Sequence, residues 1–301
     1  MEHNRQFDPS YGIAVEIADG IRRLTAPNPG PFTFHGTNTY LIGTSKVAVL
    51  DPGPANEAHI DTILDACDGA AIEAILVSHT HMDHSPGAAL LKRRTGAPVI
   101  GCGPYRMARD LGIGESNPMD ASSDHAYAPD RQLGDGETAS LSAANFQAIE
   151  TPGHTDNHLC FAIEGSEILF SADHVMAWST SIVAPPDGSM RAYMASLETL
   201  MGRSETTYLP GHGAEVRDAH GYMAELKAHR LKREASILSA LGPTPAAIPD
   251  LVLRIYEGLD PVLRPAAALS VFAHLEDLAE RGLVMAEPMT RLDALYRLPG
   301  R

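Results

Sequence analysis

The stretch Ser78-His79-Thr80-His81-Met82-Asp83-His84 follows directly on the apolar run Ile72–Val77. Four side chains able to bind metal thus sit within six residues where a buried strand ends, and in open α/β sheets sites form at such ends. Side chains alternate along extended backbone, so His79, His81 and Asp83 are expected on one side of the loop and His84 on the other. One short loop would then serve two neighbouring ion positions. Ser85-Pro86 suits a helix start, with Ser85 as N-cap and Pro86 as the first helical residue. A merely polar loop has no use for three histidines and an aspartate at this density, whereas a metal does.

Three later loops repeat the theme. His154 lies in Thr-Pro-Gly-His-Thr after the strand-like FQAIE, Asp173 ends EILFSAD, and His212 lies in Leu-Pro-Gly-His-Gly. Taken singly, each would read as a structural residue at a tight turn. Beside the first cluster they read as further ligands. Imidazole and carboxylate suit zinc, and Fe and Mn accept the same donors.

Strand-like runs at Ile13–Ala18, Thr39–Gly43 and Lys46–Gly53 precede an amphipathic helix over Asn56–Cys67. A strand (IEAILVS), a helix and a strand (APVIGC) follow, a βαβ pattern with parallel strands. FQAIETP, LCFAIE and EILFSAD predict antiparallel strands, with Gly165-Ser166 turning between the last two. Helices are expected at Met190–Gly202 and Arg217–Leu241, separated by the short strand TTYLPGHG. The best boundary is Leu241-Gly-Pro-Thr-Pro245, which stops a long helix. It divides residues 1–241 from residues 242–301. Beyond it, two helices (Ala247–Tyr256 and Pro265–Arg281) and the pair LVMAE and ALYRL around a polar turn predict a small winged helix.

The order His-x-His-x-Asp-His, Thr-Pro-Gly-His-Thr, strand-end Asp, Pro-Gly-His strongly resembles the metallo-β-lactamase superfamily, over about Ile13 to His220. The resemblance implies a four-layer αββα sandwich with two metal ions, expected to be Zn²⁺, at one edge. His79, His81 and His154 would hold the first ion and Asp83, His84 and His212 the second. Asp173 would bridge them, and Asp51, in Leu-Asp-Pro-Gly, would support the site from behind. A zinc-bound water has its pKa lowered to about 7, which supplies hydroxide at neutral pH. Asp83 would orient that hydroxide and later pass a proton to the leaving group. Two Zn²⁺, two carboxylates and a hydroxide leave a net +1, which favours an anionic or strongly polarised substrate. His158 and His174, close in sequence to ligands, are expected either just behind the ligands or at the substrate pocket, and the segment His174–Ser189 as a pocket wall with Trp178, which reads equally well as a cover for the core. The other histidines read as surface or structural.

Departures from subfamilies narrow the field. Cys160 lies one strand too early to be the cysteine ligand of some β-lactamases, and His81 stands where diiron flavoproteins of this fold have Glu. Thioesterases of the glyoxalase-II kind, lactonases and phosphodiesterases stay open. The stretch Asn28–Tyr40 and the trailing winged helix are similar to the subgroup of β-lactamase-like protein 2, whose characterised member cleaves single-stranded RNA. A small molecule or single-stranded RNA is therefore the expected substrate. From another class, a metal-stabilised regulatory or binding protein with vestigial catalysis would fit the fold, but decayed relatives lose ligands and this set is complete.

Charge bears on partners. The 301 residues carry a net charge of −15, and from Tyr222 onward ten basic residues balance ten acidic ones, so the excess lies in the first domain. The second helix of the winged domain shows Glu276, Asp277 and Glu280 among alanines, whereas groove readers are basic. Tight duplex DNA binding is not expected. The winged helix is expected to pack on the hydrolase domain, to shape its pocket or to join two copies in a homodimer. No apolar run approaches the ~20 residues needed to span a bilayer, and MEHNRQFDPSYG lacks a signal-peptide layout. Cys67, Cys102 and Cys160 form neither a disulfide framework nor a metal knuckle, so a cytoplasmic setting is expected.

Overall fold

The computed structural model describes residues 2–242 and 244–300; Pro243, within the expected boundary, lies outside them. An antiparallel run of β1 (Val15–Ala18), β2 (Ile21–Thr25), β3 (Asn38–Ile42) and β4 (Lys46–Leu50) opens the chain. Next come α1 (Glu57–Ala66), β5 (Ala71–Val77), α2 (Pro86–Thr95), β6 (Val99–Gly101) and β7 (Arg131–Gln132), with β4 to β7 parallel. These strands form one seven-stranded sheet in sequence order. A second sheet holds β8 (Thr138–Ser140), β9 (Asn145–Glu150), β10 (Leu159–Ile163) and β11 (Ile168–Ala172), all antiparallel. After α3 (Met190–Met201), β12 (Thr207–Pro210) joins it parallel to β11. The long α4 (Ala219–Ala240) leads to β13 (Ala246–Ala247), α5 (Ile248–Ile255), α6 (Arg264–Glu280), β14 (Met285–Glu287) and β15 (Leu295–Arg297).

Period-two alternation makes the layers. Phe146, Phe161 and Phe170 of the second sheet face Tyr40, Leu50 and Leu76 of the first, while Leu41, Val49 and Ile75 turn to its other side, toward Ile60, Ile63 and Leu91 of α1 and α2. The phenylalanines' strand neighbours Ile149, Cys160 and Leu169 face the other way, onto Tyr193 and Leu197 of α3 and Met223 and Leu226 of α4. The order is helix, sheet, sheet, helix. A third core gathers Leu251, Phe272, Leu275 and Tyr296 with Ile237 and Leu241, so the end of α4 is built into the C-terminal domain as well. There β13, β15 and β14 form a three-stranded sheet beside α5 and α6, a winged helix. Among the described residues no helix is long and apolar enough to cross a membrane.

Two local expectations need correction. The strand predicted to run from Lys46 to Gly53 stops at Leu50, because Asp51 turns into the left-handed region (φ 48°) and Pro52 has no amide for the ladder. Ser85 precedes α2, but its hydroxyl makes no cap bond and donates instead to Asp124 Oδ2 at 2.7 Å.

His59, on α1, is buried with Nε2 3.0 Å from Thr39 Oγ1, and burial lowers its pKa to about 4. The unfolded chain takes up this proton near pH 6.5 and the folded chain does not, so stability is full above pH 6.5 and declines as pH falls toward 4. The melting temperature should fall across this window, and His59→Gln should flatten the slope. Parallel slopes in thermal scans from pH 7 to 4.5 would contradict the assignment.

Candidate metal centre

Strand direction brings the predicted ligands together. The ends of β4, β5, β9, β11 and β12 are followed by Asp51, the 78–84 loop, His154, Asp173 and His212, and their donor atoms converge. His79, His81, His154 and Asp173 form one group with donors within 4.8 Å of one another, and Asp83, His84 and His212 form a second. Asp173 faces both, with Oδ2 3.5 Å from His154 Nε2 and 3.4 Å from His212 Nε2. Asp83 therefore does not share a side with His79 and His81, as extended backbone would require. The loop bends at 82–84, where His84 N bonds to His81 O at 3.0 Å, and the bend carries Asp83 over to His84.

Close packing needs special backbone at two points. Ala172 has φ 42° beside a register shift in β11, which turns Asp173 out of the sheet. A Cβ on Gly211 would come within 2.4 Å of Asp173 Oδ1 and 2.6 Å of His84 Cε1, so any side chain there would occupy the centre itself.

Neighbouring groups fix the outward nitrogen of three of the rings. Nδ1 of His84 lies 3.0 Å from Asp51 Oδ2, that of His154 lies 2.7 Å from Ile182 O, and that of His212 lies 3.1 Å from Gly36 O. In each case Nε2 is left for the centre. Asp51 also accepts from Ser78 N at 2.8 Å and Ser78 Oγ at 2.6 Å. Thr37, buried and not singled out in the sequence, donates to Asp83 Oδ2 at 3.1 Å and accepts from Asn28 Nδ2 at 3.0 Å. Its only trace was its place within the Asn28–Tyr40 stretch.

The donor set fits a metal pair. His79 Nε2 is 3.1 Å from His81 Nδ1, which is 2.9 Å from His154 Nε2, while the Nε2 atoms of His84 and His212 are 3.3 Å apart. Two nitrogens on one tetrahedral zinc at 2.0–2.1 Å stand about 3.3–3.4 Å apart, so these separations are those of shared ligation. Asp173 Oδ1 is buried with no hydrogen-bond donor, an orphan that a cation would satisfy.

None of the three expected pocket residues lines the cavity over the centre. His158 takes the first of its two expected places, behind the ligands, with Nδ1 2.8 Å from Thr151 Oγ1 and Nε2 accepting from Asp173 N at 3.3 Å. His174 turns away from Asp173 to lie against the Tyr193 ring (centroids 4.5 Å apart). Trp178 stacks on Phe34 at 4.8 Å and, largely buried, covers the core from behind. The cavity, about 300 Å³, is walled by Phe32, Met82, Met119, Met176 and Ile182 above His81, Asp83, His154, Asp173 and His212. Met176 and Ile182 lie in the segment His174–Ser189 expected as a pocket wall, whereas Phe32, Met82 and Met119 come from loops without periodic pattern that nothing in the sequence marked as lining.

The chain belongs to the metallo-β-lactamase superfamily, whose family model matches residues 32–212, and a β-lactamase-associated winged helix domain matches residues 247–289. It is similar to a protein named atrochrysone carboxyl ACP thioesterase from Claviceps purpurea, at 27% identity over 86% of this chain and 79% of that one. A β-lactamase-like protein 2 homolog from Caenorhabditis elegans is 28% identical over 89% of this chain and 87% of its own length. A β-lactamase domain protein from Burkholderia ambifaria has the same fold, with a TM-score of 0.81 at 22% identity, covering 99% of this chain and 97% of that one.

Burial opposes charge throughout the centre, yet its effects differ by residue. Burial and neighbouring histidines keep His79 well below 6.5 and take His81 to about 3. Against burial, Asp83 and Asp173 raise His84 well above its usual value, and Asp173 and Asp83 raise His212 to about 10. Asp83 in turn is held well below the carboxylate range, burial being outweighed by His84 and His212. Without metal, these two histidines are protonated at neutral pH and must lose their protons on loading. Zinc titration near pH 7 should release about two protons, and affinity should fall steeply with acidification. Calorimetry in buffers of different ionisation enthalpy measures the release; a pH-independent affinity with no release would refute the assignment.

Proposed function

We propose that this chain is a metal-dependent hydrolase of an ester or thioester carrying a large apolar acyl group. The apolar cavity directly over the His/Asp centre carries this reading. A site of this kind orients a ligand mainly by fit, with few polar groups. Among the described residues that line it there is no Lys or Arg, so a phosphodiester or an RNA strand would find no cationic partner beyond the centre. The name of the Claviceps relative supports a thioester, and lactones offer the same acyl chemistry. The docked position of α6, bonded through Asp277 to Arg191 of α3 at 2.9 Å, supports the absence of tight duplex DNA binding.

His79, His81 and His154 would hold one ion, Asp83, His84 and His212 the other, and Asp173 both. When bound, the metal pair supplies a Lewis acid and a water-derived nucleophile near neutral pH. Zinc, iron and manganese suit these donors. The chain's own residues do the positioning. Asp51 locks His84, and Thr37 holds Asp83 at the cavity floor, where its carboxylate can accept a proton and return it to the leaving group. Phe32, Met82 and Met176 exclude water from the acyl group.

A substrate panel tests the reading: acyl thioesters of rising length, a lactone, a generic phosphodiester and single-stranded RNA, each with and without chelator. Chelator-sensitive hydrolysis of the longer thioesters is expected. Faster cleavage of RNA than of any acyl substrate would sink it. Asp83→Asn should lower kcat about 100-fold while KM changes less than about threefold. An unchanged kcat with a raised KM would remove Asp83 from proton transfer.

A further inference from the structure

The long connection between β6 and β7 has no strand of its own, yet its segment 105–123 forms one wall of the cavity. Its inner end is tied to the ligand loop: Met82 N donates to Ser122 O at 2.9 Å, and Ser123 bridges His81. Its middle is held by Asp187, which accepts from Tyr105 Oη at 2.6 Å and Asn117 Nδ2 at 2.8 Å. Its outer end is gripped by the winged helix. Arg109 donates through Nε to Glu276 of α6 at 2.5 Å and forks onto Glu115 with two bonds of 2.7 Å. Arg291, on the turn between β14 and β15, donates to Ile113 O at 3.0 Å and Gly114 O at 3.3 Å.

These grips are better placed than ordinary surface pairs. The Glu276 side chain is 12% exposed and that of Arg109 is 28% exposed, and the fork of Arg109 onto Glu115 within the wall fixes the guanidinium whose Nε Glu276 takes. The face of α6 that a DNA-binding winged helix would present to a groove is spent here on the hydrolase domain: Ala273 and His274 are buried, and Arg191 pairs with Asp277 and Glu280. The 105–123 wall therefore has one end in the metal-ligand loop and the other in the C-terminal domain.

We propose that the winged helix is a positioning domain for substrate, in which Glu276 and Arg291 hold the 105–123 wall against the metal-ligand loop and so set the size of acyl group the cavity accepts. This rests on the apolar-acyl reading of the site. Neither residue touches substrate; both act through Met119 and its neighbours. Releasing the grip lets the wall move outward, which weakens binding of long acyl groups and leaves short ones unaffected.

The test uses the full-length, metal-loaded protein and the variants Glu276→Ala, Arg291→Ala and Arg291→Lys. Hydrogen exchange reads the wall without reference to any activity. Amides of residues 106–119 should exchange at least about fivefold faster in both alanine variants, with β10 and α3 unchanged. Arg291→Lys, which keeps one donor, should restore part of the protection. Across acetyl to decanoyl thioesters, KM for the long members should rise about fivefold at nearly constant kcat, while acetyl kinetics stay put. Unchanged exchange in both alanine variants would overturn the grip. Faster exchange with an unaltered chain-length profile would overturn its role in selection. If no thioester is turned over at all, the substrate reading falls, and exchange alone still decides whether the domain holds the wall. Arg291→Ala, on a turn rather than within the α6 core, keeps the outcome readable if Glu276→Ala fails to fold.

Discussion

Asp51 accepts hydrogen bonds from the amide and hydroxyl of Ser78 and from Nδ1 of His84, so one buried carboxylate joins the end of β4 to the end of β5 and aims His84. Its left-handed backbone turns the chain out of β4 at the first residue past the strand. The 78–84 loop hangs from this junction, and four of the seven centre residues lie on it. An aspartate tolerates the left-handed region better than a branched residue does, and its short side chain is paired at once with the groups it must orient.

The centre is a concentration of buried polar groups that would be costly in any ordinary core. In the metal-free chain the cost is met by internal neutralisation. Asp83 and Asp173 hold their charges against burial because His84 and His212 carry protons beside them. His79, His81 and His154 stay neutral and ready to donate lone pairs. The same arrangement makes the site exchange protons for cations, which couples loading to pH. Such a network does little for stability in its own right. Its geometry is held by the strand ends around it, the two packed sheets and their helices.

The cavity draws its walls from places far apart in the chain. Phe32 comes from the loop before β3, Met82 from the ligand loop, Met119 from the β6–β7 connection, and Met176 and Ile182 from the segment after Asp173. Three are methionines, whose flexible thioethers adapt to irregular apolar ligands. The cavity walls thus lie in the connections, while the His and Asp donors lie at the strand ends.

The candidate donors that the structure brings together were legible in the sequence because each sits beside its own local mark: a buried strand, then a turn with Gly or Pro, then His or Asp. Layer order was legible as well, since strands such as Leu159–Ile163 must divide their side chains between two faces. The partition of ligands was not. Whether Asp83 lies with His81 or with His84 depends on a bend at 82–84 that simple alternation does not contain, and the grouping followed only from resemblance. Thr37, Met82 and Met119 escaped because a buried hydroxyl or a loop methionine carries no periodicity, while the wall segment holding Met176 and Ile182 was legible from its place after Asp173. For His174, closeness in sequence to Asp173 misled, since its ring lies against Tyr193 instead, and of the two readings of Trp178 the cover for the core is the one that holds. The sequence by itself determined which residue types stand at which strand ends, since hydrophobic period and turn chemistry are local. Tertiary structure alone decided which ring nitrogen faces the centre, what walls the cavity and where the winged helix grips, because each depends on contacts between residues as far apart as Arg109 and Glu276.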